Sequence, residues 1–113
     1  MSAARASVSA AEALRLVATG VPLVDVRETD EWDAGHAPQA VLLPLSTLGE
    51  HLDDVPEGDE VLVVCRSGVR SARVVAALRQ RGVPAVDVVG GMLAWRDAEG
   101  ELTADEGREA TVR

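Results

Sequence analysis

The sequence predicts an α/β protein: a central, mostly parallel sheet with helices on both faces. Three observations lead there. Short apolar runs alternate along the chain with segments of helical period. One of those runs, Val61-Leu62-Val63-Val64, is apolar without a break, as a central strand covered on both faces requires. Helix stops of Gly followed by Pro stand before two of the runs, at Gly20 and Pro22 and again at Gly82 and Pro84.

The elements follow in order. Ser9-Ala10-Ala11-Glu12 fits a capping box, in which Ser and Glu satisfy each other's amides, and opens a helix with Leu14, Val17 and Ala18 on one face. Leu23-Val24-Asp25-Val26 reads as a short buried strand. In the polar stretch 27–35, Thr29 is expected to cap a short helix carrying Trp32. Residues 40–43 read as a second strand closed by Pro44. Residues 46–55 read as a helix with Leu48 and Leu52 at i, i+4, and Pro56-Glu57-Gly58-Asp59 as a turn. The central strand 61–64 runs into a polar loop, 65–70. A helix is expected over 71–81, with Val74, Val75 and Leu78 inward and Arg73, Gln80 and Arg81 outward. Residues 85–89 form one more strand, and Gly90-Gly91 leads into a helix bearing Leu93 and Trp95. A single domain over residues 1–104 is expected, with 105–113 as an acidic, mobile tail.

Composition narrows the function classes. The 113 residues are 47% hydrophobic and 27% charged, ordinary for a globular protein. Trp32 and Trp95 are the only aromatic residues, which excludes a base-stacking surface. The net charge is -8, and all 11 basic residues are Arg. That field repels nucleic acid and anionic membranes, so neither is an expected partner. A single Cys cannot form an internal disulfide and points to a reducing, cytoplasmic setting. With two His in all, no metal or other cofactor is expected. Neither a signal peptide nor a membrane-spanning run is expected.

In open parallel sheets ligands sit beyond the carboxyl ends of the strands. Residues 25–27, 65–71 and Gly90-Gly91 converge there. The informative run is Cys65-Arg66-Ser67-Gly68-Val69-Arg70-Ser71. A buried strand delivers a thiol into a short loop that leads to a helix. Backbone amides curled around the sulfur would form an anion-binding nest, aided by the helix N-terminus. Gly68 permits the positive φ that such a curl needs. A free Cys ionises near ~8.5, and such surroundings can lower this to roughly 3.5–7.5. Arg66 and Arg70 add local positive charge that can outweigh the acidic whole. A lone Cys ending an apolar strand is ordinarily inert core. The Arg, Ser, Gly and Arg that follow it favour a reactive nucleophile instead.

That loop resembles the active-site loop of single-domain rhodaneses, the sulfurtransferases. Two further motifs are similar to that family's: Leu23-Val24-Asp25-Val26-Arg27 with Glu31-Trp32, Gly35-His36-Ala37-Pro38 and Ala40, and Gly90-Gly91-Met92-Leu93-Ala94-Trp95. The resemblance runs from about residue 7 to 95. It implies that Cys65 attacks the sulfane sulfur of thiosulfate or a related donor and releases sulfite. The sulfur is then held as a persulfide and passed to cyanide or a thiol, in a ping-pong pattern. It implies substrate contacts from Arg66, Ser67, Gly68, Val69, Arg70 and Ser71. The expected partners are a small anionic sulfur donor and a thiol or cyanide acceptor, with a protein sulfur acceptor as a further one. Trp32 and Gln39 depart mildly from the pattern. Asp25, Arg27 and His36 match motif positions and are read as structural, with Arg27 on the pocket side.

Two other functions compete. A Cys-dependent phosphatase or arsenate reductase uses a related loop, but with five residues between Cys and Arg; here four separate Cys65 from Arg70. A non-catalytic rhodanese-like regulatory or partner-binding module is the other, although such modules often lack the Cys that this chain keeps.

Overall fold

The computed structural model describes residues 5–113; the first four residues of the expected domain span 1–104 lie outside the described residues. The expected architecture is present, and the sheet is parallel throughout. It comprises β1 (Ser7–Val8), β2 (Leu23–Asp25), β3 (Val41–Leu42), β4 (Val61–Val64) and β5 (Ala85–Val88), in the order β1-β5-β4-β2-β3. The helices are α1 (Ala10–Ala18), α2 (Thr29–Ala34), α3 (Val69–Gln80) and α4 (Gly91–Asp97).

Alternation along the strands sorts two cores. Leu23, Leu62, Val64, Val86 and Val88 pack with Ala13 and Val17 of α1 and Met92 and Trp95 of α4. On the opposite face Val24, Val61, Val63 and Ala85 pack with Val74, Val75 and Leu78 of α3 and with Leu48. From β2 the chain moves outward to β3, returns past β2 to β4, and continues outward on the other side to β5. The direction of travel therefore reverses between β2 and β4. At such a point the loops after neighbouring strands part and leave a crevice.

Beyond β2 lies a buried ion pair. Asp25 and Arg27 are both fully buried, and Arg27 Nη2 donates to Asp25 Oδ2 at 2.7 Å. Arg27 Nε and its backbone N–H also donate to Asp25, and Nη2 donates to the Gly35 carbonyl at 2.9 Å. With Nη1 reaching the Glu31 carbonyl at 3.4 Å, no buried side-chain nitrogen or oxygen of the pair lacks a partner, which is the condition for burying two charges. Arg27 thus lies in the interior rather than on the pocket side expected of it.

Several expectations shift. Segment 46–55 is not an α-helix but two 3-10 segments, Leu45–Glu50 and Leu52–Asp54, closed by bonds such as His51 N–H to Leu48 O at 2.9 Å. Gly49 and Thr47 weaken helix propagation there, and His51, at φ -127, breaks the run. The cap of α2 is Glu28, with a reciprocal bond to Glu31, and Thr29 is already helical. Ser9 does cap α1 through the Glu12 amide, but the Glu12 carboxylate faces Arg15 and Arg5. Helix α3 begins at Val69, two residues early, because Gly68 at φ 109 supplies the turn into it. β1, two residues on the sheet edge, has no sequence signal of its own.

The C-terminal segment, read from the sequence as mobile, lies against the body. Thr111 N–H donates to Ala34 O at 2.9 Å, Val112 packs on the α1/α4 core, and Gly35 approaches the Thr111 backbone too closely for any Cβ. No helix among the described residues is long and apolar enough to cross a membrane.

The buried pair yields a stability test. Asp25→Ala strands an uncompensated guanidinium and should cost about 3–5 kcal/mol in urea unfolding. The double change Asp25→Leu with Arg27→Met should cost clearly less than the single. Equal losses would show that the pair's charges are not what matters.

Candidate active site

The seven residues 65–71 form one curl at the carboxyl end of β4. Cys65 is 1% exposed, beneath the curl. Its Sγ accepts the Gly68 N–H at 3.0 Å and the Ser71 N–H at 3.3 Å, and lies 3.3 Å from Ser71 Oγ. The first turn of a helix always has N–H groups without an intrahelical acceptor. Here one of them, that of Ser71, points at sulfur.

The curl is held from beneath by α4. Met92 N–H donates to the Cys65 carbonyl at 2.8 Å and Leu93 N–H to the Arg66 carbonyl at 3.1 Å. Gly91 makes this approach possible: it sits at φ 60, and a Cβ there would stand 2.5 Å from both carbonyl oxygens. The Gly90-Gly91 pair therefore lies directly against the curl of residues 65–71.

The Arg residues divide. Arg70 makes a two-pronged pair with Glu31 of α2, Nη1 to Oε1 at 2.7 Å and Nη2 to Oε2 at 2.8 Å. This geometry is the strong form of the Arg–carboxylate bond. It holds the Glu31 carboxyl down to about 2 and raises Arg70 further above its ordinary value. Arg66 is exposed, and its Nε donates to the Arg113 carbonyl at 2.9 Å. Ser67 is exposed, and Val69 is 67% exposed at the lip of the curl. The ring of His36 stacks on Trp32 at 3.6 Å, and its Nδ1 lies 2.9 Å from the Trp32 carbonyl, shaping the turn after α2.

Two residues near Cys65 were not singled out by sequence reasoning. Glu31 stands in a quoted motif, but nothing in the sequence ties it to Arg70, 39 positions away. Asp87 of β5 accepts the Ser71 hydroxyl at 2.6 Å, and its carboxyl is pushed up, chiefly by burial. Its signal was a charged residue inside the run Ala85-Val86-Asp87-Val88-Val89. Among the described residues no three His, Cys, Asp or Glu side chains converge as metal ligands.

A family model described as Rhodanese-like domain matches residues 9–98. A sulfurtransferase from Allochromatium vinosum is 35% identical over 88 residues, which cover 77% of this chain and 82% of that protein. The adenylyltransferase and sulfurtransferase UBA4 of Yarrowia lipolytica is 39% identical over 83 residues. That match covers 72% of this chain but 21% of UBA4, so the chain corresponds to a fraction of that relative's length. Among solved structures, a rhodanese-like domain protein from Staphylococcus aureus aligns with a TM-score of 0.75 at 35% identity, covering 94% of this chain and 98% of that one.

The Arg70–Glu31 pair has a pH signature. A carboxyl whose folded value is about 2, against an ordinary 4.5, contributes stability that is complete above 4.5 and lost as the pH falls toward 2. Glu31→Gln should therefore cost roughly 1 kcal/mol at neutral pH, the figure being kept low for solvent screening. The difference from wild type should close in denaturant titrations as the pH is lowered toward 2. A gap that persists in acid would assign the loss to packing.

Proposed function

The chain belongs to the rhodanese-like domain family, and from that premise we propose that it is a sulfurtransferase using Cys65 as its nucleophile. Cys65 attacks the outer sulfur of thiosulfate or a similar sulfane donor. A sulfur–sulfur bond forms, the bond to the sulfonate breaks, and sulfite leaves with the electron pair. The resulting persulfide passes its terminal sulfur to cyanide or a thiol.

The observation that carries this reading is the pair of N–H donors, from Gly68 and Ser71, on a sulfur at the foot of a helix. Groups fixed in this way stabilise negative charge on sulfur without reorganising during reaction. The amides of Ser67, Val69 and Arg70 have no protein acceptor among the described residues, and they are suited to the charge of a terminal persulfide sulfur. Four residues between Cys65 and Arg70 make a curl small for a phosphoryl group, which counts against a phosphatase. Arg70 is engaged by Glu31, so Arg66 is the better placed to attract an anionic donor.

Incubation with thiosulfate should add the mass of one sulfur atom to the intact protein, and Cys65→Ser should abolish the adduct. Wild type that never gains the mass would sink the proposal. Arg66→Ala should raise KM for thiosulfate several-fold with a smaller change in kcat, since its charge acts on encounter. A KM unaffected by that change would leave donor capture to the backbone amides.

A further inference from the structure

Ser71 Oγ is shared by two acidic groups. It lies 3.3 Å from Cys65 Sγ and 2.6 Å from Asp87 Oδ1. A hydroxyl has a single proton. While Asp87 is a carboxylate that proton is committed to it, and Ser71 offers sulfur only lone pairs. The contact with Sγ is then a hydrogen bond only if the thiol donates. If Asp87 takes up a proton, the direction of the whole chain reverses: Asp87 donates to Ser71, and Ser71 donates to a thiolate. The two arrangements differ by the movement of two protons along two existing short contacts.

The placement of Asp87 suits the second arrangement. Its register partner on β4 is Val63, and its side chain leaves β5 on the α3 side, where the neighbouring inward residue is Ala85. Burial favours its neutral form more than the Ser71 bond opposes it. It also lines an open cleft of about 460 Å³ with Ser7, Ala72, Val75 and Arg79, which gives its proton a way to water.

We propose that Asp87 is the positioning residue of the nucleophile and, through Ser71, the acceptor of its proton. The inference rests on Cys65 acting as the nucleophile. As Sγ attacks, its S–H bond breaks and a bond forms from that hydrogen to Ser71 Oγ. The original Ser71 O–H bond breaks as Asp87 gains the proton. The electron pair freed on sulfur forms the new sulfur–sulfur bond, and sulfite departs with the old one. The proton then leaves Asp87 through the cleft. Other charged groups surround this chain. Arg70 lies within Coulomb reach of Cys65 and is engaged by Glu31; Arg66 is on the outer side of the curl. The Asp25–Arg27 pair ends the adjacent strand, and Arg79 donates to the carbonyls of Arg5 and Ala85. The hydrogen bonds of Ser71 Oγ go to Asp87 and Cys65.

The test is the pH profile of Cys65 alkylation by iodoacetamide, a neutral reagent that reacts with thiolate and needs no sulfur donor. Asp87→Asn removes the carboxylate that takes up the proton while nearly keeping the side chain's shape. Alkylation at neutral pH should slow at least threefold, and the profile should move to higher pH. Ser71→Ala keeps the backbone N–H but cuts the connection, so alkylation should slow at least threefold. The double variant should follow Ser71→Ala, because the effect of Asp87 passes through the hydroxyl. Profiles of Asp87→Asn and wild type that superpose would overturn the proposal. So would an unchanged Ser71→Ala, which decides the matter even if Asp87→Asn does not fold. A missing sulfur adduct with these shifts intact would sink the sulfur-transfer reading and leave the relay standing.

Discussion

The site depends on two hydrogen bonds that do not touch sulfur: Met92 N–H to the Cys65 carbonyl and Leu93 N–H to the Arg66 carbonyl. A trans peptide holds its C=O and the following N–H on opposite sides of one plane. Tying these two carbonyls to the start of α4 therefore turns the Arg66 and Ser67 amides away from α4. The orientation of the curl is thus imposed from outside it, by a helix end whose own unpaired amides need acceptors. One economy serves two elements. It works only because position 91 carries no Cβ, so the backbones can meet.

Charge around the site is arranged against the overall sign of the chain. The protein carries -8, yet its thiol lies among Arg66, Arg70 and the foot of a helix. Arg70 does not stand free. Its bidentate bond to Glu31 locks α2 to α3 across the crevice between the β2 and β4 loops. The pair fixes the wall of the site and lends the sulfur only part of its positive charge. The Asp25–Arg27 pair does a similar task one layer deeper, holding the Gly35 carbonyl and thereby the turn that follows α2.

Much of this was legible in the sequence. The strand at 61–64, the α3 apolar face and the Gly stops follow from periodicity and backbone conformation, which act locally. The curl of residues 65–71 was legible because a Cys followed by Arg, Ser, Gly and Arg fits no ordinary turn. What failed to show was non-local or finely balanced. Segment 46–55 has helical spacing, yet Gly49 and the geometry at His51 leave it as 3-10 turns. β1 exists because β5 offers an edge to Ser7 and Val8. The links from Glu31 to Arg70 and from Asp87 to Ser71 join residues far apart in the chain. Pattern within a window does not reveal such pairs. Arg27 was placed at the pocket because its motif is near it, whereas its pairing with Asp25 draws it wholly inside.

The aromatic poverty of the chain has an optical consequence. Trp95 is sealed in the α1/α4 core, its indole N–H on the Glu101 carbonyl, while Trp32 lies half-exposed and stacked on His36 beside the wall that Glu31 builds. With no Tyr in the sequence, fluorescence comes from these two indoles alone. They occupy different polarities and report on different regions: one on the integrity of the core, the other on the segment that borders the thiol. The molecule thus carries two built-in emitters whose separate responses distinguish global melting from loosening of α2.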